Sequence, residues 1–247
     1  MYGLDLFSGI GGLTKALEPW VRPVAYCERD RYCQAVLLSR MASGSLPVAP
    51  IWDDVRTLSG NILPNGIEVV YGGFPCQDIS VAGRGAGLAG ERSGLFFEIV
   101  RLVSEIRPSF VFLENVPAIR IRGGDIVAKE LASLRYDCRW FVIPAPREAD
   151  FSGKRWFLLA KAMRSGLEGL HEEGGGVNLQ QTEGTISRHD WKATPRVLRA
   201  NHGIPCAMDR IRALGNAVVP QQAQEAFKRL MGLGGQANEQ AEICEVA

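Results

Sequence analysis

Along the first 160 residues the apolar positions come in short runs broken by glycine-rich or polar turns, and the period changes from run to run. Residues 2–6 form a short apolar run that ends in a glycine-rich turn, and helical spacing follows through Leu17. Residues 24–27 read as a second strand and 31–40 as a helix. Residues 67–71 have the continuous apolar character of a buried strand, and a long glycine-rich segment runs from there to Ser93. Leu95, Phe96, Ile99, Leu102, Val103 and Ile106 fall on one helical face, which Pro108 terminates. Residues 110–113, 140–143 and 156–160 read as strands and 126–134 as a helix. Strands that alternate with helices predict a parallel-rich sheet covered on both faces. Ligands of such sheets bind at the carboxyl ends of the strands.

Beyond Ala160 the pattern weakens. Gly166, Gly169, Gly174-Gly175-Gly176 and Gly184 make residues 165–187 read as loop. Order resumes near Trp191, and residues 221–230 predict a terminal helix opened after Pro220. The last stretch, 232–247, is glycine-rich, then polar, and is expected to fray. The chain has no internal repeat.

Composition narrows this picture. Apolar residues make up 46% of the 247 positions and charged residues 22%, a globular balance able to bury a core. The net charge of +1 points to no partner by itself. However, 22 of the 28 cationic side chains are arginine, whose fork suits phosphates and base edges. Arg188, Lys192, Arg196, Arg199, Arg210 and Arg212 outnumber Asp190 and Asp209 in one stretch, either a basic patch or a solvated arginine-rich face. The six cysteines form no Cys-x-x-Cys pair and the three histidines do not cluster with them, so no metal site is expected. With no apolar stretch of membrane-spanning length and no secretory pattern, a cytoplasmic protein with free thiols is expected.

The candidate chemistry falls at strand ends. Phe7-Ser8-Gly9-Ile10-Gly11-Gly12 joins the first strand to a helix, and its glycines permit a tight turn and close ligand approach. A plain strand-to-helix turn would look the same. Glu28 stands 19 residues beyond Gly9, where a carboxylate can accept from ribose hydroxyls, although the polar run Arg29-Asp30-Arg31 also suits a surface turn. Asp53-Asp54 ends a third such position, for an adenine amino group or as a cap before Val55. Gly72-Gly73-Phe74-Pro75-Cys76-Gln77 places a cysteine on a loop after a strand. Pro205-Cys206 is a second such pair, so the context must separate them. Phe112-Leu113-Glu114-Asn115-Val116 sets a carboxylate at the end of an apolar strand.

Five motifs in order carry a specific resemblance: residues 5–12, 73–77 (Gly-Phe-Pro-Cys-Gln), Arg92-Ser93-Gly94-Leu95-Phe96, Glu114-Asn115-Val116, and Gly215-Asn216-Ala217-Val218-Val219-Pro220. The chain resembles the cytosine-C5 DNA methyltransferases over roughly residues 1–161 and 205–230. The resemblance implies an α/β, Rossmann-like S-adenosylmethionine-dependent methyltransferase fold with a small irregular second region. It implies a catalytic domain of residues 1–161 plus 205–231, a reduced target-recognition region at 162–204, and a tail at 232–247. Phe7, Ser8, Gly9, Gly11, Gly12, Glu28, Asp54, Val55, Pro75, Leu95, Asn216 and Val218 would hold S-adenosylmethionine. Cys76 would be the nucleophile, Glu114 the partner of the base and Arg155 a second polar contact to it. Gln77, Ser80, Arg196 and Arg199 would touch double-stranded DNA. A monomer is expected; the sequence leaves open the target site, any restriction partner, and whether DNA or RNA is the substrate.

The chain departs from the family in two places. The usual Gln-x-Arg-x-Arg stretch is replaced by residues 149–155, of which Arg155 alone has a clear match. The recognition segment is short, which by analogy suggests a phage or mobile-element setting. A catalytically weak relative that binds DNA or the cofactor and an RNA cytosine methyltransferase therefore remain as other readings. An unrelated nucleotide-binding oxidoreductase would leave Cys76, Glu114 and the Gly215-Asn216 segment without a common explanation.

Overall fold

The computed structural model describes residues 1–75, 94–145, 153–163, 209, 213, 217–233 and, as backbone, 242–243. Within these, eight strands, six α-helices and one 3-10 turn at Gly60–Ile62 are placed, the strands and α-helices in the order β1 (Tyr2–Leu6), α1 (Gly12–Leu17), β2 (Arg22–Cys27), α2 (Arg31–Ala42), β3 (Ile51–Trp52), β4 (Val69–Gly73), α3 (Gly94–Ile106), β5 (Phe110–Asn115), α4 (Ile119–Arg122), α5 (Gly124–Ser133), β6 (Tyr136–Ile143), β7 (Arg155–Ala162), α6 (Pro220–Met231) and β8 (Glu242–Ile243). One sheet contains all the strands in the order β3-β2-β1-β4-β5-β7-β6-β8. The first five are mutually parallel, whereas β5–β7, β6–β7 and β6–β8 pair antiparallel, so the sheet is parallel-rich but mixed.

Alternation along the central strands divides the core. Leu4, Leu6, Val70, Val111, Leu113 and Leu158 face α3 and α5, whose Phe96, Ile99, Leu102, Val127 and Leu131 are fully buried. Val69, Tyr71, Phe112, Phe157 and Leu159 face α1 and α6. Here Phe112 lies 5.8 Å from Phe157 and 5.2 Å from Phe227, edge-on to the latter. Both faces are covered, which is why β4 and β5 read as continuous apolar runs.

The local signals act as their chemistry requires. Asp30 caps α2 by accepting from Tyr32 N–H at 2.9 Å and Cys33 N–H at 3.1 Å. Pro220 opens α6, and Gly232 at φ 69° ends it. The structure also departs from the sequence expectation. β3 has two residues, too few for a period, and β6 starts at Tyr136, where the Tyr136 hydroxyl donates to Pro108 O at 2.6 Å. Within the stretch expected to fray, Glu242–Ile243 pairs with Arg139 and Trp140. The basic stretch of residues 188–212 lies outside the described residues apart from Asp209.

One buried polar chain crosses the α1 face. Thr14 Oγ1 donates to Asp5 Oδ2 at 2.6 Å and lies 2.8 Å from the Tyr71 hydroxyl, while Asp5 Oδ1 has no hydrogen-bond partner among the described residues. Burial pushes the Asp5 carboxyl from 3.8 to about 8, against the Thr14 hydrogen bond that lowers it. The unfolded chain then releases this proton near pH 4, but the folded chain keeps it to about pH 8. The contribution of Asp5 to stability is therefore complete below pH 4 and disappears as pH rises through 8, at most about 1.4 kcal/mol per pH unit. Asp5→Asn is expected to flatten this slope. Urea unfolding at pH 5 and pH 8 should show the parent losing stability relative to the variant, and equal losses would contradict it.

Candidate active site

The turn after β1 takes its shape from three left-handed residues, Phe7 (φ 55°), Gly9 (φ 54°) and Gly11 (φ 84°). Gly9 N–H donates to Glu28 Oε2 at 2.7 Å, and Asp30 N–H donates to Glu28 Oε1 at 2.7 Å. Glu28, at the end of β2, thus joins the glycine turn to the start of α2. Burial raises its pKa, and the two backbone donors oppose that rise. Each carboxylate oxygen keeps acceptor capacity for a further hydroxyl. Gly12 packs on the far end of the chain: a Cβ there would lie 2.8 Å from Val218 Cγ1. Gly11 is directed elsewhere, toward Leu46 and Leu37. Arg40 Nη1 donates to Ile10 O at 2.6 Å and steadies the turn from α2.

Asp54 and Val55 follow β3. Asp54 is held by Arg56, with Nη2 to Oδ2 at 2.8 Å, and this hydrogen bonding draws its pKa down to about 2. A turn runs from Asp54 through Val55, closed by Thr57 N–H donating to Asp54 O at 3.0 Å. Arg101 of α3 supports the wall from behind, donating through Nη2 to Val55 O at 2.9 Å and Leu58 O at 2.8 Å.

The opposite wall is built from β4, β5 and β7. Glu114 is buried at the end of β5 and faces Arg155 at the start of β7, with Oε1 3.4 Å from Nε. That contact is an ion pair without hydrogen-bond geometry, and Oε1 has no hydrogen-bond partner among the described residues. Burial raises the Glu114 pKa to about 7, and the Arg155 charge opposes the rise. Glycine at the neighbouring β4 position leaves room for this carboxylate, because a Cβ at Gly73 would stand 2.7 Å from Glu114 Oε2 and displace it. Asn115, next on β5, donates through Nδ2 to Phe74 O at 3.0 Å and so ties down the segment that leads through Pro75 to Cys76.

The two walls enclose one cleft of about 860 Å³ at the carboxyl ends of β1, β2, β4 and β5. Of the residues expected from the sequence, Phe7, Ser8, Gly9, Gly12, Glu28, Asp54, Val55, Pro75, Leu95, Glu114, Arg155 and Val218 line it. Cys76, Gln77, Ser80, Arg196, Arg199 and Asn216 lie outside the described residues. Asn115, Arg101 and Gln222 were missed; their value lies in partners 41 or more residues away, which no local pattern announces. Among the described residues no group of three or more His, Cys, Asp or Glu is placed to hold a metal ion. Nor is any of their helices long and apolar enough to cross a membrane.

A parallel-rich sheet with an antiparallel strand beside β5, and a glycine turn and carboxylate at one end of its cleft, define the class of S-adenosylmethionine-dependent methyltransferases. More narrowly, the profile of the C-5 cytosine-specific DNA methylases matches residues 1–162, and the chain belongs to that family. It is 30% identical over 237 residues to the type II methyltransferase M.CviJI of Paramecium bursaria Chlorella virus IL3A, covering 92% of this chain and 58% of that one. It is 37% identical over 114 residues to the type II methyltransferase M.HhaI of Haemophilus parahaemolyticus, covering 46% and 33% of the two chains. The chain thus spans little more than half the length of the viral relative. A solved structure from E. coli, described as a DNA modification methyltransferase encoded within a prophage, superposes with a TM-score of 0.52 at 25% identity over 66% of this chain and 47% of that one. The S. pombe Dnmt2 methyltransferase shares the fold with a TM-score of 0.51 at 19% identity, over 67% and 51%.

The cleft fits the methyl donor of this family. Its volume lies in the range of small-molecule sites, and its lining combines apolar side chains with charged ones, among them Glu28, Asp54, Glu114 and Arg155. If Glu28 accepts from the ribose, Glu28→Ala should raise the S-adenosylmethionine Kd by about 10–100-fold, as for a lost charge-assisted hydrogen bond. The saturating transfer rate should change much less. Calorimetric titration reads this directly, and an unchanged Kd would remove the ribose role.

Proposed function

We propose that the chain is a DNA cytosine-5-methyltransferase acting through Cys76, with S-adenosylmethionine as methyl donor. The observation that carries this reading is the shared cleft: the Glu114–Arg155 pair and the Gly73-Phe74-Pro75 segment face the same space as Glu28 and the glycine turn. Bound there against Phe7, Gly9, Glu28, Val55, Leu95 and Val218, S-adenosylmethionine would supply an electrophilic methyl group. Residues 1–161 and 205–231 form the catalytic unit in this reading, and 162–204 a reduced recognition segment on double-stranded DNA. The protein works as a cytoplasmic monomer.

The residues divide the chemistry. Carbon 5 of cytosine is a poor nucleophile until a thiolate adds at carbon 6. As the Cys76 Sγ–C6 bond forms, electron density moves from the C5=C6 bond into the ring. Glu114 holds a proton for ring nitrogen 3 and Arg155 faces the ring oxygen, so that charge is neutralised where it builds. Carbon 5 then takes the methyl group, and the electron pair of the broken sulfonium S–C bond stays on sulfur. A base removes the C5 proton, whose bonding pair re-forms the C5=C6 bond and expels the Cys76 thiolate. The target base must leave the duplex, at about a few kcal/mol.

The experiment is transfer of radiolabelled methyl from S-adenosylmethionine to unmethylated DNA, with RNA as competitor. Label at cytosine carbon 5 of DNA is the expected outcome. Label confined to RNA would transfer the reading to RNA methylation, and cofactor binding without transfer would mark a degenerate relative.

A further inference from the structure

Gln222 is a buried amide that the reaction above does not use. It sits in the first turn of α6, 1% exposed. Its Nε2 donates to two carbonyls, Ile143 O at 2.6 Å and Gly153 O at 3.1 Å. Ile143 is the last residue of β6, and Gly153 lies two residues before Arg155. In the β6–β7 register Ile143 stands directly opposite Arg155. One amide therefore joins the end of β6, opposite Arg155, to the segment that enters β7 two residues before Arg155. Ala145 N–H closes the same hairpin by donating to Gly153 O at 3.0 Å.

Stability alone is a poor explanation. α6 is already anchored by Ala223, Ala226, Phe227 and Leu230. The Gln222 Oε1 atom is buried with no hydrogen-bond partner among the described residues, a destabilising arrangement that an apolar side chain would avoid. What the amide provides is location. Among the described residues Arg155 meets Glu114 at 3.4 Å as an ion pair without a hydrogen bond, so the position of its backbone sets how close the two groups come.

We propose that Gln222 is a positioning residue that fixes the start of β7 and so holds Arg155 against Glu114. Because Val218, four residues earlier, lines the cofactor end of the cleft, the same segment sets both ends of the site. The proposal rests on the methyltransferase reading for its consequence in turnover, but not for its geometry.

The test uses Gln222→Met, of similar length without the amide, with Gln222→Leu as a second variant. The first readout is the titration of Glu114, followed by carbon-13 NMR of glutamate-labelled full-length protein. Among the described residues Arg155 of β7 is the charged group facing Glu114, and β4 presents Gly73. Retreat of Arg155 should raise the Glu114 midpoint toward that of Arg155→Ala. In an Arg155→Ala background, Gln222→Met should move it no further. The second readout is turnover, expected to fall about tenfold or more through misplacement of Arg155 while the S-adenosylmethionine Kd stays within about twofold. An unshifted Glu114 midpoint overturns the proposal, as does additivity with Arg155→Ala or failure of both variants to fold. A parent with no transfer to DNA would remove the functional reading, and the titration would still decide the role of Gln222.

Discussion

Replacement of Cys76 by alanine is expected to lower methyl transfer to DNA by about four orders of magnitude or more, as for loss of other catalytic nucleophiles. S-adenosylmethionine affinity should stay within about twofold, because the thiol contributes to the reacting step and not to the cofactor wall. Cys76→Ser should do no better, since a hydroxyl without a strong base attacks carbon 6 poorly. The sharpest measurement is a DNA carrying 5-fluorocytosine at the target. Fluorine cannot leave carbon 5 as a proton does, so the parent should form a covalent complex that survives denaturation. The Cys76 variants should form none. If the adduct persists in Cys76→Ala, the nucleophile lies elsewhere, and Cys206 in the second Pro-Cys pair would be examined next.

The second large effect belongs to Glu114. Glu114→Gln keeps the size of the side chain but cannot exchange a proton with ring nitrogen 3, so the rate should fall by about 10²–10⁴-fold. The pH dependence carries the stronger test. Burial raises the carboxyl to about 7, against the opposing charge of Arg155, which brings its titration into the neutral range. A step that needs the protonated acid loses rate as pH rises through 7. The parent should show this falling limb in single-turnover rates, and Glu114→Gln should lack it. An identical limb in the variant would assign the titration to another group and leave Glu114 as a hydrogen-bonding surface only.

The sequence made some of this legible for physical reasons. Glu28 and Glu114 stand out because each interrupts an apolar run at a strand end, and the parallel pattern puts such ends on one side of the sheet. Other parts carry no local signal. Two residues are too few to declare β3, and an apolar run cannot say that β7 lies antiparallel between β5 and β6. Asp5 interrupts an apolar strand, yet its partnership with Thr14 and Tyr71 depends on α1 folding back over the sheet. Gly73 belongs to the Gly-Phe-Pro-Cys-Gln motif, but nothing local announces that it lies against the carboxylate of Glu114 on the adjacent strand. Asn115 belongs to a visible motif, but its task is to secure Phe74 O from the adjacent strand.

The clamp on the β6–β7 hairpin separates two properties that elsewhere travel together. Ala145 and Gly153 are joined by a backbone hydrogen bond, and Gln222 grips Ile143 and Gly153 from α6. Whatever the chain does between those points, its two ends emerge in one register. The number of residues joining these fixed points is thus uncoupled from the backbone position of Arg155, much as a rope of any length hangs from fixed pegs. This is the stretch in which the chain departs from its family at residues 149–154 while retaining Arg155. In the methyltransferase reading proposed above, the length of chain between the two fixed points and the placement of Arg155 against Glu114 are therefore separate properties.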